Sequence, residues 1–172
     1  MRFKNVKLEY GNVETDWSPA PEDGIDYTDR LVDDLRNIDL QDIIELNNQA
    51  INKIDSIIQD GKITPNEKVD LQAEFARIKV LRDSTREFYN TVNDTTLSTL
   101  LNDMETTYQN VKKLIDPVIS NMTTTSNASA SQIRRAFIAF YEINQSLLTA
   151  LQQSVAIISI NNSTSIEALE EK

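Results

Sequence analysis

The sequence predicts an all-α fold: an elongated antiparallel bundle of three to four helices, carrying a residual N-terminal β-strand. Only three glycines and four prolines occur in 172 residues, whereas sandwiches and barrels need turn residues roughly every ten positions. From about Tyr27 onward, apolar residues recur at spacings of three, four and seven, the period of an amphipathic helix. Thr64 and Glu67 form a T-x-x-E capping box, which fixes the start of one helix on its own.

The opening residues follow a different rule. Phe3, Val6, Leu8 and Tyr10 roughly alternate with polar residues before Gly11, as in a half-buried strand ending at a turn. A lone strand cannot bury that face, so the segment reads as the edge of a neighbouring domain and the chain as a piece of something longer. Residues 18–26, SPAPEDGID, form a proline- and glycine-punctuated linker. The first helix carries Leu31, Leu35, Ile38, Leu40, Ile44, Ile51, Ile54 and Ile58. Its narrow seam suits bundle or coiled-coil packing, either within the chain or against copies of itself. Asn47 interrupts that seam as a register-setting buried amide or as an exposed turn of the stripe.

The second helix starts at Thr64, with Pro65 at the first helical position where no N–H is needed. Its core face is Leu71, Phe75, Ile78, Leu81, Phe88 and Val92. Asn93-Asp94-Thr95 then breaks the pattern, and Asp94 or Thr95 caps a third helix bearing Leu97, Leu101, Met104, Tyr108, Val111, Ile115 and Val118. Pro117 removes a backbone hydrogen bond there, so a kink or short break is expected around Asp116. Residues 121–130 form a Thr/Ser/Asn loop. Ser129 and Gln132 offer an S-x-x-Q box for a fourth helix carrying Ile133, Phe137, Phe140, Ile143 or Asn144, Leu147, Leu151, Val155 and Ile158. The resulting division is a strand-and-linker remnant over 1–26, a connecting helix over 27–60, a helical bundle over 61–160 and a polar C-terminal segment over 161–172.

Composition narrows the chemistry. A net charge of −10 with scattered basic residues argues against nucleic acid, because phosphate binding requires concentrated Lys and Arg. With no cysteine and no histidine, the thiol nucleophile, the thiolate site and the commonest general base are all missing. No run approaches the roughly 18 apolar residues of a membrane span, and the N-terminus lacks the apolar stretch of a signal peptide.

Asp60-Gly61-Lys62-Ile63 with Glu67 imitates part of an EF-hand loop. Aligned that way, the first and third ligand positions fall on Ser56, a weak substitute for the carboxylate that starts such a loop, and on Ile58, whose side chain offers no oxygen. The phrase reads instead as a helix C-terminal turn running into the Thr64 capping box. Asp29, Asp33, Asp34, Asp39, Asp42 and Glu45 make an acidic first helix, ordinarily a solvated face and otherwise a dock for a basic partner. Arg134-Arg135 reads as a surface pair. Phe137, Phe140 and Tyr141 at helical spacing read as core rather than as a binding platform. Trp17 lies outside the helices, where packing is the default over sugar stacking. No pair among the acids is singled out for catalysis, so no catalytic, cofactor-binding or metal-ligating residue is assigned, no cofactor is expected, and the chain is not expected to be an enzyme.

Two phrases carry a family resemblance. Lys7-Leu8-Glu9, Gly11, Thr15-Asp16-Trp17 and Pro19-Ala20-Pro21-Glu22-Asp23 resemble the closing strand and exit of jelly-roll, carbohydrate-binding-like modules in tail proteins of bacteriophages that infect Gram-positive bacteria. Asp60-Gly61-Lys62-Ile63-Thr64-Pro65-Asn66-Glu67-Lys68 is similar to a phrase that opens a helical domain in phage and prophage minor structural and baseplate proteins. The later Phe137, Phe140-Tyr141 and Leu147-Leu148 fit the same pattern. The resemblance implies a structural spacer or connector of a tail-tip, baseplate or tail-fibre protein that supports host attachment. It implies assembly in the bacterial cytoplasm into the virion tail, with other tail proteins as partners, a homo-oligomer as a further expectation, and host cell-wall polysaccharide reached through neighbouring modules. Neither nucleic acid nor membrane insertion is expected. Direct binding of a receptor or wall glycan by this segment, and an accessory role beside a tail-associated wall hydrolase, are the alternatives.

Overall fold

A computed structural model describes the backbone of residues 21–170 and the side chains of residues 29–158. Its helices are α1 (Pro21–Arg36), α2 (Leu40–Ile58), α3 (Pro65–Val92), α4 (Ser98–Ile119) and α5 (Ala130–Glu170). A two-residue strand β1 (Lys62–Ile63) pairs antiparallel with β2 (Ser126–Asn127), setting Lys62 opposite Asn127 and Ile63 opposite Ser126. The expected all-α bundle is observed. α2 to α5 run up and down as an antiparallel four-helix body, with α4 against α5 as its broadest contact and α3 against α5 across the diagonal. The strand expected at Phe3–Tyr10 and Trp17 lie outside the described residues.

The expected connecting helix over 27–60 is two helices, and both pack into the body. The break at Asn37–Asp39 has a local cause: the Asp39 carboxylate accepts from Gln41 N at 2.8 Å and caps α2, an arrangement a continuous helix does not offer. The carbonyls freed by the break are taken up from across the body. Gln152 Nε2 donates to Leu35 O at 2.8 Å and to Ile38 O at 2.9 Å, and Leu35 is fully buried beneath that turn. Upstream, α1 begins at Pro21, inside the segment expected to be linker.

The Thr64 capping box forms as expected. Glu67 N donates to Thr64 Oγ1 at 3.4 Å, and Glu67 Oε2 accepts from Thr64 N at 2.8 Å. α3 ends on Asn93, which takes the left-handed conformation at φ 54° and donates its N–H to Tyr89 O at 2.8 Å. Asparagine is the side chain best suited to replace glycine there. Asp94 then caps the short 3-10 turn Thr95–Leu97 that leads into α4.

Two further expectations are corrected. α4 runs through Asp116 without a break, because Pro117 stands in its last turn, two residues from the end. One backbone bond is lost where the helix is finishing. The S-x-x-Q box at the start of α5 does not form: the Ser129 carbonyl accepts from Gln132 N and Ile133 N, while its hydroxyl lies 3.4 Å from Ser131 Oγ. α5 also continues as helix to Glu170, through the segment set apart as a polar C-terminal piece. Its 41 residues correspond to about 60 Å.

The core holds the residues the periodicity selects, among them Leu71, Ile78, Met104, Val111, Ile115, Phe137, Leu147 and Leu151, all with no exposure. Fully burying each aliphatic or aromatic side chain contributes about 1.5–3 kcal/mol. An aromatic belt ties three helices together. Phe75 of α3 stacks on Tyr108 of α4 at 5.7 Å between centroids, and Tyr108 meets Phe140 of α5 edge-on at 6.3 Å.

Candidate functional surface

The Asp60–Glu67 segment is committed to structure. Asp60 Oδ1 accepts from Lys62 N at 2.8 Å, Gly61 takes φ 71° and its carbonyl accepts from Ala128 N at 3.0 Å, and Glu67 is held by the capping box. Both carboxylates of the EF-hand-like phrase thus accept backbone N–H groups of the turn and cap, which fits its reading as a helix-ending turn running into the Thr64 capping box. Among the described residues, no cluster of His, Cys, Asp and Glu has the arrangement of a metal site.

Below that turn lies the most buried cation of the chain's described part. Lys68 is fully buried, and its ammonium donates to Asn121 O at 2.5 Å and Ser126 Oγ at 2.7 Å. It pins the Thr/Ser/Asn loop to the foot of α3, and β2 follows from that attachment. Charge-assisted bonds of this kind are about twice as strong as neutral ones. Of the acids on the first helices, Asp33 pairs with Arg36 and Asp39 caps α2. Arg134 bridges α5 to α2 by donating to Asp55 Oδ2 at 2.9 Å, and Arg135 donates to Ser131 O.

Phe137, Phe140 and Tyr141 are buried, so they form core rather than a platform. Asn47 is also buried, so it is not an exposed turn of the stripe. It lies in a groove of about 400 Å³ between α2 and α5, together with Asn48, Asn52, Tyr141, Glu142 and Gln145. The groove offers amide donors and acceptors beside the half-buried Ile44, Ile51 and Ile138. The Tyr141 hydroxyl is buried beside the Arg77 guanidinium. Burial pushes the Tyr141 phenol up to about 12, with the nearby Arg77 guanidinium, centred 5.9 Å from the ring centroid, opposing the shift.

The periodicity alone passed over several buried polar groups. Lys68, Glu74 and Thr85 sit at stripe positions of α3, three or four residues from Leu71, Ile78, Leu81 and Phe88. Glu74 Oε1 pairs with Lys53 at 3.0 Å, and Glu74 Oε2 has no partner among the described residues. Thr85 Oγ1 donates to Asn144 Oδ1 at 2.8 Å in full burial. Each could have been found as a polar residue at a heptad-like core position, where burial demands a partner.

No protein-family model matches the chain, and no solved structure matches it. A curated protein does: over 122 residues, 69% of this chain, it is 26% identical to a protein named "Tail fiber protein" from Enterococcus phage phiEF24C. The match spans 6% of that protein's length, so the chain corresponds to a small part of a far longer polypeptide. In these residues, the chain is similar to a segment of a phage tail fibre protein.

Proposed function

We propose that this chain is a structural connector of a phage tail, a helical module that supports host attachment by holding neighbouring modules of a fibre or baseplate protein. The observation that carries the reading is the similarity to a tail fibre protein over most of the chain. The geometry supports it in physical terms. The Glu74 carboxylate, the Asn144 amide and the Lys68 ammonium are turned inward to helix pairs and a loop anchor, an investment in a fixed shape. On this reading the chain is not an enzyme, and its partners are other tail components. The finer expectations belong here too: a preceding jelly-roll module, a phage or prophage of Gram-positive bacteria, assembly in the host cytoplasm, and cell-wall polysaccharide reached through neighbouring modules.

One observation favours a second reading. The α2–α5 groove, lined by asparagines, Gln145 and Glu142 beside Ile44, Ile51 and Ile138, has the mixed polar and apolar lining of a small-ligand site. An adsorption assay separates the two. Antibodies against the isolated chain are expected to label virion tails, while the free chain in excess leaves phage adsorption to host cells unchanged. Inhibition of adsorption by the free chain would move the function to direct receptor binding. Absence of labelling on virions would overturn both.

A further inference from the structure

The groove between α2 and α5 holds amides that the fold does not use. Asn47 is 6% exposed and lines the groove, yet its side chain makes no hydrogen bond among the described residues. An amide left unsatisfied at that depth costs stability, which an apolar side chain in its place would not. Asn48 and Asn52 on the α2 wall and Gln145 on the α5 wall are likewise without side-chain hydrogen bonds among these residues. Beside them stand the half-buried Ile44, Ile51 and Ile138. Of the two charged residues lining the groove, Arg134 is committed to Asp55 Oδ2 at 2.9 Å, and Glu142 has no ion pair among the described residues.

Building on the connector reading above, we propose that this groove holds an extended segment of a neighbouring tail protein by its main chain. Spacing selects that ligand. Asn48 and Asn52 lie four residues apart on one helix face, about 6 Å along the axis. In an extended chain the N–H and C=O of every second residue point to the same side, with a repeat of about 6.6–6.8 Å. Each side-chain amide presents a donor and an acceptor together, so the two asparagines match two alternate residues of the segment. The residue between them turns its N–H and C=O to the other wall, where Gln145 stands. From Ile44 to Asn52 the α2 wall is about 12 Å long, room for three or four extended residues at about 3.3 Å each. Side chains that turn inward meet the isoleucines and the Asn47 amide, which suits apolar residues with a serine or threonine among them. Glu142 adds a preference for a lysine or arginine at its flank. So short a segment binds weakly, with a Kd of roughly 0.1–1 mM.

Two capped pentapeptides serve as probes, acetyl-Thr-Val-Thr-Val-Lys-amide and acetyl-Lys-Val-Thr-Val-Thr-amide, which carry the lysine at opposite ends. Titrated into the isotope-labelled 172-residue chain, one of them is expected to shift the side-chain amide resonances of Asn47, Asn48, Asn52 and Gln145. Methylating the two valine nitrogens keeps every side chain and removes main-chain donors, and is expected to weaken binding at least fivefold. Asn48→Ala and Asn52→Ala, at exposed positions, should each weaken it by about fivefold, the loss of one amide contact. Asn47→Leu is expected to raise the urea midpoint while lowering peptide affinity; higher stability with unchanged affinity would count against the site. Absence of shifts with either peptide at about 5 mM, undiminished binding of the methylated peptide, or stronger shifts of the same resonances by an N-acetylglucosamine trimer would each overturn the proposal. Labelling of virion tails reads the connector role separately, so a labelled tail with no peptide binding overturns this proposal alone.

Discussion

Replacing Thr85 with valine keeps the shape of the side chain and removes one hydroxyl, which makes the Thr85–Asn144 pair a test of the buried polar layer. Thr85 is 2% exposed and Asn144 is fully buried, so water cannot replace the lost donor. Asn144 Oδ1 loses its 2.8 Å partner, and an orphaned buried acceptor costs about 1–3 kcal/mol. Asn144→Leu alone leaves the Thr85 hydroxyl without its acceptor. That hydroxyl can turn to a carbonyl one turn back in α3, so the expected loss is smaller, about 0–1 kcal/mol. The double variant removes both polar groups, and with them the Asn144 Nδ2 that has no partner among the described residues. It should therefore equal or exceed the parent, since swapping both partners for apolar groups of the same shape is nearly neutral or stabilising. Urea unfolding of the four proteins, with m-values held constant, reads the cycle. In thermal melts the Thr85→Val loss corresponds to a lowered Tm of about 2–12 °C, at about 2–4 °C per kcal/mol for a chain of this size. A double variant no more stable than Thr85→Val, or additive single effects, would refute the inference that this layer is held by one satisfied bond beside one unsatisfied amide.

Gly61→Ala is expected to destabilise by about 1–2 kcal/mol, because its φ of 71° is left-handed and the added Cβ would meet Ala128 O at 3.4 Å; chemical denaturation measures it, and an unchanged midpoint counts against the turn geometry. The Tyr141 phenol, raised to about 12 by burial against an ordinary 10.0, is held neutral more firmly in the folded chain, so its contribution is complete below pH 10 and falls as pH rises toward 12. Tyr141→Phe should flatten that alkaline loss in melts between about pH 9 and 12. The Asp94 carboxyl is held below its ordinary 3.8 by hydrogen bonds from Ser154 and then Thr96. Its contribution is therefore present above that value and lost as pH falls below it, and Asp94→Asn should reduce the acid-side slope; equal slopes in both proteins would remove Asp94 from the account.

The helices were legible because burial imposes a period on the sequence. Ile54, Ile78, Met104 and Phe137 are core for the reason their spacing announces, and Thr64 with Glu67 fixed a boundary through chemistry internal to four residues. What escaped depends on groups distant in sequence. The break at Asn37–Asp39 is tolerated because Gln152, more than a hundred positions away, satisfies the carbonyls it frees. The β1–β2 pair exists because Lys68 draws the 121–126 loop down onto α3. Around Pro117 the expectation differs from the structure by a few residues only, since a proline reads as a break when the helix end is not yet known. The candidate surface was less legible still. Asn47 and Tyr141 were each visible on a stripe, but the groove between α2 and α5 arises only when two separate stripes meet.

The Gln152 clamp has a mechanical consequence. It fastens the level at which the chain enters the four-helix body, near Leu35 and Ile38, to the level at which α5 leaves it. A pull applied across those two points runs through that amide and the packing of α1 around the buried Leu35, and the residues between them hang to one side of the line of tension. The body therefore adds girth and lateral stiffness where it sits, while its own long dimension contributes little to reach. Under load it is expected to peel open from the clamp rather than to shear along its length.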